Sequence, residues 1–324
     1  MYVDADGARV TDPDTLARIR ALVLPPAWQD VWICTWPNGH IQATGGDAAG
    51  RLQYRYHDAW RIRRDAEKFD HMIEFGRVLP ELRAQIGEYL ALDGMPRERV
   101  LACATRLLDL GFFRIGTEGY AEQNQTFGLA TMRKDHVAIA GPVVTFDYPA
   151  KSGQQRIQSV VDPEVVTVIR ALKRRRGGGP ELLAYQDGRT WVDVRSGDIN
   201  GYLKELTGGE YTAKDFRTWN ATVLAAVALA VSHGTAKSPT ARKRAVTRAY
   251  QEVAHYLGNT PAVSRASYVD PRIVDRYRAG ATIHDALHHL GNDVGFGQPS
   301  TQGAVEQAVL DLLADAPVAT LLAS

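Results

Sequence analysis

Residues 214–232 read KDFRTWNATVLAAVALAVS. The second half, 221–232, is apolar around most of a helical circumference. A helix formed there has almost no face to give to water and belongs at the centre of a core. Arg217 stands just ahead of it, between Phe216 and Trp219. A guanidinium in such a setting is half-buried and needs a partner anion. Arg114, in Gly111-Phe112-Phe113-Arg114-Ile115-Gly116, raises the same question. The partner of either residue is a carboxylate inside the protein or an anion from outside it.

Away from this centre the hydrophobic period divides the chain. Residues 12–23 (DPDTLARIRALV) read as a short amphipathic helix, with Thr11 and Asp12 as N-cap candidates and Pro25-Pro26 beyond its end. Residues 31–36 read as a strand, Pro37-Asn38-Gly39 as a turn and residues 40–44 as the returning strand of a hairpin. Residues 45–50 (GGDAAG) read as a loop and 51–57 as a further strand. From Ala66 the period becomes helical: Phe69, Met72, Ile73, Phe75 and Val78 precede Pro80, and Leu82, Ile86, Tyr89 and Leu90 follow it. Residues 97–110 form another apolar helix. Strand signals return between Phe127 and Val161, with Gly141-Pro142 as a turn and 143–148 as a strand. Helices dominate after Pro163, interrupted by the loop 177–180 (GGGP). The expected fold class is α+β: a small β-rich N-terminal domain over 1–66, and a larger, mainly α-helical domain over 67–324 that carries a short β-sheet. Two domains also suit 324 residues, because a single core stops growing near ~250–300.

Composition narrows the class. A hydrophobic share of 45% with 23% charged residues fits a soluble globular chain. No run of ~18 uncharged apolar residues is present, so no membrane span is expected. The N-terminus, MYVDADGARV, carries acids and lacks the apolar segment of a secretory signal. Cys34 and Cys103 stand outside any CxxC pair among apolar neighbours, and read as reduced core thiols of a cytosolic protein. The histidines form no HExxH or Cys/His cluster, and adjacent His288 and His289 would diverge on a helix, so no metal site is expected.

The net charge of +1 hides its distribution. Residues 279–324 contain no Lys or Arg and five acids, Asp285, Asp293, Glu306, Asp311 and Asp315. Residues 1–278 therefore hold 38 basic against 32 acidic residues, a net of +6. The basic residues cluster as Arg51, Arg55, Arg61, Arg63 and Arg64, as Lys173-Arg174-Arg175-Arg176, and as Lys237, Arg242, Lys243, Arg244 and Arg248. Any one cluster suits a solvated helix face. Three together suit a polyanionic partner. The acidic tail is expected to be a helix packed on the larger domain, or else a segment that repels a polyanion and speeds its release.

Walker, GxGxxG and GxSxG motifs are absent. Five short motifs in a fixed order carry more. They are Phe112-Phe113-Arg114-Ile115-Gly116 with Tyr120 six residues after the arginine; Gln123-Asn124-Gln125-Thr126-Phe127-Gly128-Leu129-Ala130-Thr131-Met132; Lys151 in Tyr148-Pro149-Ala150-Lys151-Ser152-Gly153; Lys214-Asp215-Phe216-Arg217-Thr218; and Leu257-Gly258-Asn259-Thr260-Pro261, with Tyr268 nine residues after Asn259. Together with Leu24-Pro25-Pro26-Ala27-Trp28 and Gln53-Tyr54-Arg55-Tyr56, they resemble the type IB DNA topoisomerases of the small poxvirus and bacterial kind. The resemblance spans nearly all of 1–278. One departure is Asn259, where many members have histidine. Asparagine also donates a hydrogen bond, but as a neutral group. Activity is expected to survive, with less pH dependence near pH ~6–7.

The resemblance implies a tyrosine recombinase/topoisomerase IB catalytic fold and a nucleophile, Tyr268. A phenol is a weak nucleophile at neutral pH because its pKa lies near ~10, and a positive field favours its phenolate. It further implies Arg114 and Arg217 as clamps on the phosphate, Asn259 as a third donor, and Lys151 as general acid for the leaving 5′ oxygen, with Arg114 in the proton relay. Gln53, Tyr54 and Tyr56, with Arg61 and Arg64, resemble the family's groove-contacting strand and its exit; Tyr120 and Lys214 fall beside the scissile phosphate. The implied partner is double-stranded DNA, gripped by a cytoplasmic, nucleoid-associated monomer acting as a clamp without cofactor or metal. Two alternatives stand beside this. A tyrosine recombinase shares the nucleophile and both arginines, but usually has H-x-[LM]-R where this chain has Lys214-Asp215-Phe216-Arg217. A non-catalytic DNA-binding relative would be expected to have lost some of these residues.

Overall fold

The computed structural model describes residues 1–289 and 301–314. In chain order the elements are α1 (Pro13–Ala21), β1 (Gln29–Ile33), β2 (Ile41–Gly46), β3 (Leu52–Tyr56), α2 (Asp58–Leu90), α3 (Arg97–Gly111), α4 (Glu118–Asn124), β4 (Val137–Ala140), β5 (Val143–Pro149), β6 (Gln155–Val161), α5 (Pro163–Arg174), β7 (Ala184–Asp187), β8 (Thr190–Asp193), α6 (Ser196–Thr207), α7 (Ala213–Ser232), α8 (Pro239–Leu257), α9 (Pro261–Ser267), α10 (Pro271–Arg278) and α11 (Ala304–Ala314). The fold is α+β, as the sequence pattern implies. The chain divides into two compact units, and the division falls between Asp70 and His71, inside α2. Among the described residues no helix is long and apolar enough to cross a membrane.

In the first unit, Asp12 caps α1 by accepting from the Thr15 amide at 2.8 Å. Strands β1, β2 and β3 form an antiparallel meander. β1 ends at Ile33 rather than continuing to Trp36. The buried Gln42 amide donates to the carbonyls of Trp36, Pro37 and Gly39 at 3.2, 3.0 and 2.8 Å, and so organises residues 34–40 as a loop. β2 continues through Gly45 and Gly46, which pair with Gln53 and Leu52, so the loop is shorter than GGDAAG suggests.

Helix α2 starts at Asp58, eight residues before the hydrophobic period becomes visible at Ala66. Its first turns are exposed on nearly every side, and Arg63 and Arg64 both bond Glu67 at 3.0 and 3.2 Å, so no apolar stripe marks them. The helix also runs through Pro80 without a break in its assignment.

In the second unit α7 is central. Phe216, Trp219, Thr222, Ala225, Ala226, Leu229 and Ala230 are buried, and the helix surfaces at Val231. Ala221 and Ala225 pack with Val253 and Leu257 of α8 and with Val269, and the half-buried rings of Phe112, Tyr250 and Tyr268 lie against that cluster. Sheet β4-β5-β6 is antiparallel with β5 in the middle. It buries Val144, Phe146 and Tyr148, and Phe113 meets Phe146 edge-on at 4.9 Å. The small hairpin β7–β8 was not signalled, because residues 184–193 are too polar to show a strand period.

The acidic tail includes α11, which packs by Val305, Val309 and Leu313. Glu306 is buried: it accepts from Arg83 at 2.6 and 2.9 Å and from the Trp219 indole at 2.8 Å. Asp109 takes the other edge of Arg83, twice at 2.9 Å. Burial opposes the charge of Arg83, but Asp109 and Glu306 outweigh it and hold its pKa above the ordinary guanidinium value. Glu306 is therefore a structural anion, and the packed-helix expectation holds for 304–314. Asp293 and Asp315 lie outside the described residues. Both cysteines are buried and free.

Candidate active site

The site is built at the end of one helix. α8 runs to Leu257, Gly258 turns the chain with φ 62°, and Thr260 caps α9, whose last residue precedes Tyr268. The final carbonyls of a helix have no partner inside it. Here three guanidinium groups bond four successive carbonyls, the last three of α8 and that of its cap, Gly258. Arg156 donates to His255 O at 3.1 Å and to Tyr256 O at 2.7 Å. Arg217 donates to Leu257 O at 2.9 Å, and Arg114 to Gly258 O at 2.7 Å. Among the described residues no carboxylate bonds Arg114, Arg156 or Arg217, and the negative end of the helix dipole holds these like charges together. For Arg114 and Arg217 the internal partner is carbonyl oxygen, not the carboxylate that sequence reasoning offered.

Each arginine is delivered by a constrained segment. Arg114 follows Phe112, which ends α3 in the left-handed region at φ 54°. Its own carbonyl accepts from Leu129 N at 2.9 Å and that of Ile115 from Ala130 N at 2.7 Å. Gly116 and Gly128 make that pairing possible: a Cβ on Gly116 would lie 2.7 Å from the Gly128 Cα. Arg217 lies on the first turns of α7, where Thr212 N bonds the Asp215 carboxylate at 2.8 Å. It is only 4% exposed, and its Nη1 donates to Phe112 O. Burial pushes its pKa down to about 10, against the pull of the Tyr268 oxygen and with Arg114 adding to the depression.

Tyr268 lies close to this cluster. The Arg217 guanidinium carbon is 5.3 Å from its ring centroid. The tyrosine amide bonds Ser264 O at 3.1 Å. Thr222 Oγ1, buried on α7, contacts Tyr268 O at 3.3 Å and accepts from Asp270 N at 3.1 Å. Asn259 accepts from Arg114 through Oδ1 at 2.6 Å. Two donors of the cluster, Asn259 Nδ2 and Arg217 Nε, are buried without a partner among the described residues.

The other sequence-named residues fall as follows. Lys151 lies in the exposed turn between β5 and β6. Lys214 is exposed on the first turn of α7, and Tyr120 is half-buried on α4. On β3, Tyr54 and Tyr56 share the exposed face and stack at 5.9 Å. Gln53 points to the opposite face, where its amide bonds Asp47 at 3.0 Å. Arg61 and Arg64 are exposed on α2.

Two residues escaped the sequence reading. Trp32, 52% exposed, sits in a cross-strand row with Thr44 and Tyr54, a register that the hairpin spacing does reveal once the strand ends are known. Arg156 has no motif around it; its only signal is its inward position on the alternating strand β6.

Residues 57–286 match the family described as eukaryotic DNA topoisomerase I, catalytic core, and residues 1–47 match bacterial DNA topoisomerase IB, N-terminal domain. A DNA topoisomerase 1B of Acanthamoeba polyphaga mimivirus is 32% identical over 285 residues, 86% of this chain and 84% of the viral protein. The DNA topoisomerase 1 of Candidozyma auris is 30% identical over 160 residues, 48% of this chain and 20% of the yeast protein. That of Schizosaccharomyces pombe is 30% identical over 199 residues, 59% of this chain and 22% of its own length. The chain thus spans most of the viral relative and about a fifth of the two fungal ones.

Proposed function

The chain belongs to the type IB DNA topoisomerase family, and from that premise we propose that it relaxes positive and negative supercoils by cutting and resealing one strand through Tyr268. The observation that carries this reading is the pair of unpaired buried donors, Asn259 Nδ2 and Arg217 Nε, beside a tyrosine ring and three guanidinium groups. A buried donor left without an acceptor costs about 1–3 kcal/mol. A phosphodiester beside Tyr268 offers the non-bridging oxygens that both donors lack.

The chemistry follows from charge. Attack by the phenol oxygen forms an O–P bond and crowds negative charge onto the phosphate. Arg114 and Arg217 neutralise that charge, and Asn259 adds a neutral donor. The bond from phosphorus to the 5′ oxygen then breaks. Its electron pair stays on that oxygen, which takes a proton from the Lys151 ammonium, while the phenolic proton passes to water. The product is a 3′-phosphotyrosyl link and a free 5′ hydroxyl. Because one phosphodiester replaces another, resealing needs no ATP, and the guanidinium groups supply the positive charge that a metal would otherwise bring. Swivelling of the free end between the two steps relaxes supercoils of either sign.

DNA is the substrate. We further read Tyr54, Tyr56, Arg61, Arg64, Tyr120 and Lys214 as contacts along the duplex, mostly to phosphates, which position rather than specify. Gln53 belongs to this set by resemblance alone. A monomer that closes around the duplex, working on the nucleoid in the cytoplasm, completes the proposal.

A plasmid relaxation assay with EDTA and without ATP tests it. Ladders of relaxed topoisomers are expected. A requirement for paired sites would favour a recombinase, and a mobility shift without relaxation would favour a non-catalytic binder.

A further inference from the structure

Resting on the reading of Lys151 as the acid, we propose that Arg156 is a positioning residue that holds the Lys151 turn against the leaving 5′ oxygen by clamping β6 to the last turn of α8.

Lys151 is five residues upstream of Arg156, in the turn that joins β5 to β6. Two backbone bonds close the turn, Ala150 N to Gln154 O at 2.8 Å and Gly153 N to Ala150 O at 3.0 Å, but among the described residues none ties it to the rest of the site. Residues 151–155 are all exposed, and Ser152 and Gly153 both have positive φ, 65° and 70°. Its place is set by the strands. β6 is an edge strand, bonded to β5 only. Along β6 the inward residues are Arg156, Gln158 and Val160. Two of them reach backbone carbonyls of the catalytic segments. Gln158 donates to Gly111 O, three residues before Arg114. Arg156, nearer the turn, donates to His255 O at 3.1 Å and Tyr256 O at 2.7 Å, just ahead of Gly258 and Asn259.

The fit is specific to arginine. Two successive carbonyls at a helix end are met by two nitrogens of one planar fork, a geometry an ammonium cannot reproduce. Gly258 lies directly against the fork: a Cβ there would approach Arg156 Nη1 at 3.1 Å and Cζ at 3.2 Å. Arg156 thereby joins the strand that leaves the Lys151 turn to the turn that presents Asn259 and receives Arg114. A shift of about 1 Å in a reacting group costs as much as a hundredfold in rate. The clamp therefore acts on protonation of the leaving group, through Lys151, and not on charge at the phosphate.

The test is single-turnover cleavage of a suicide duplex carrying either oxygen or sulfur at the bridging 5′ position. A thiolate leaves without a proton, since its pKa lies near ~8.5. Wild type, Lys151→Ala, Arg156→Ala, Arg156→Lys and Arg217→Ala are compared, with DNA binding and thermal unfolding as checks on folding. On the oxygen substrate Arg156→Ala is expected to be slowed roughly tenfold or more, and on the sulfur substrate to return to within about threefold of wild type. Arg156→Lys should share both the defect and the rescue, and it carries the test alone if the alanine variant does not fold. Arg217→Ala should stay slow on both substrates. Equal slowing of Arg156→Ala on both, no slowing at all, or full activity of Arg156→Lys on oxygen overturns the proposal. If sulfur does not rescue Lys151→Ala, the acid assignment itself fails and the clamp falls with it. If it rescues Lys151→Ala alone, only the clamp is wrong.

Discussion

Arg114 donates to Asn259 Oδ1 at 2.6 Å, and that bond orients the amide so that Nδ2 is left buried and unpaired. A single side chain thus accepts from the Arg114 guanidinium and keeps its own donor free, which in the proposed reading meets a phosphate oxygen.

This relationship predicts how histidine would behave at the same position. Neutral imidazole can accept from Arg114 with one nitrogen and donate with the other. Imidazolium can only donate, so its bond to Arg114 is lost. Asn259→His is expected to retain cleavage near pH 8 and to lose it as pH falls through the imidazole titration, while the natural chain stays flat over pH ~6–7. Cleavage rates between pH 5.5 and 8 check this; a titration in that range in the natural chain speaks against the assigned role of Asn259.

Arg217 sets an upper limit. Burial pushes its pKa down to about 10, below the ordinary guanidinium value. Cleavage is expected to fall above pH 10 as the clamp loses its charge. Stability moves the other way. Above about 10, and until an ordinary guanidinium also deprotonates, the folded chain has released a proton that the unfolded chain still holds, so the contribution of this group to stability rises with pH in that window. Arg217→Ala should cut the cleavage rate by about 10²–10³ at neutral pH. A rate that persists undiminished well above pH 10 contradicts the assignment.

Glu306 separates the two expectations for the acidic tail. Glu306→Gln keeps an acceptor for Trp219 but removes half of the anionic partnership of a buried arginine, a loss of about 3 kcal/mol. Deleting residues 300–324 should destabilise the protein further, with no gain in DNA affinity for the folded fraction. Denaturant unfolding and salt-dependent DNA binding, measured together, decide the matter: a deletion that stays fully stable and binds DNA more tightly supports charge repulsion instead.

The N-terminal sheet predicts an asymmetry within Gln53-Tyr54-Arg55-Tyr56. Tyr54→Ala and Trp32→Ala should each weaken duplex binding roughly tenfold, about 1.4 kcal/mol. Gln53→Ala should change it little, because Gln53 faces away and bonds Asp47. Lys214→Ala should weaken binding evenly across sequences and lower the salt slope by about 1. Titrations over a range of salt concentrations would expose an error if Gln53→Ala proved the most damaging of the four.

Part of the candidate site was legible in the sequence: Arg114, Arg217, Asn259 and Tyr268, named from their motifs, come together in the structure, whereas among the described residues no contact brings Lys151 to them. Arg114, Lys151, Arg217, Asn259 and Tyr268 are spaced so that the ends of α3, β5, α8 and α9 and the start of α7 deliver them. What balances their charge was not legible. Apart from Asn259 Oδ1, the partners of Arg114 and Arg217 are the main-chain carbonyls of Phe112, Leu257 and Gly258, which carry no side-chain signature, so the expectation of a buried carboxylate had no way to be refined. The pairing of Glu306 with Arg83 carries no local signal either, because the two lie 223 residues apart. α2 was started late because its first turns face water and hold charge on several sides, leaving only the later turns with an apolar period. Local pattern shows where a helix is buried; it does not show which distant charge completes it.

The central claim concerns Tyr268, and the most direct measurement is a denaturing gel of the protein mixed with a suicide duplex labelled on the strand that is cut. A labelled adduct is expected from the natural chain and none from Tyr268→Phe, with duplex binding preserved in both. An adduct that persists in Tyr268→Phe, or the absence of any adduct from a chain that relaxes plasmid, would contradict the account.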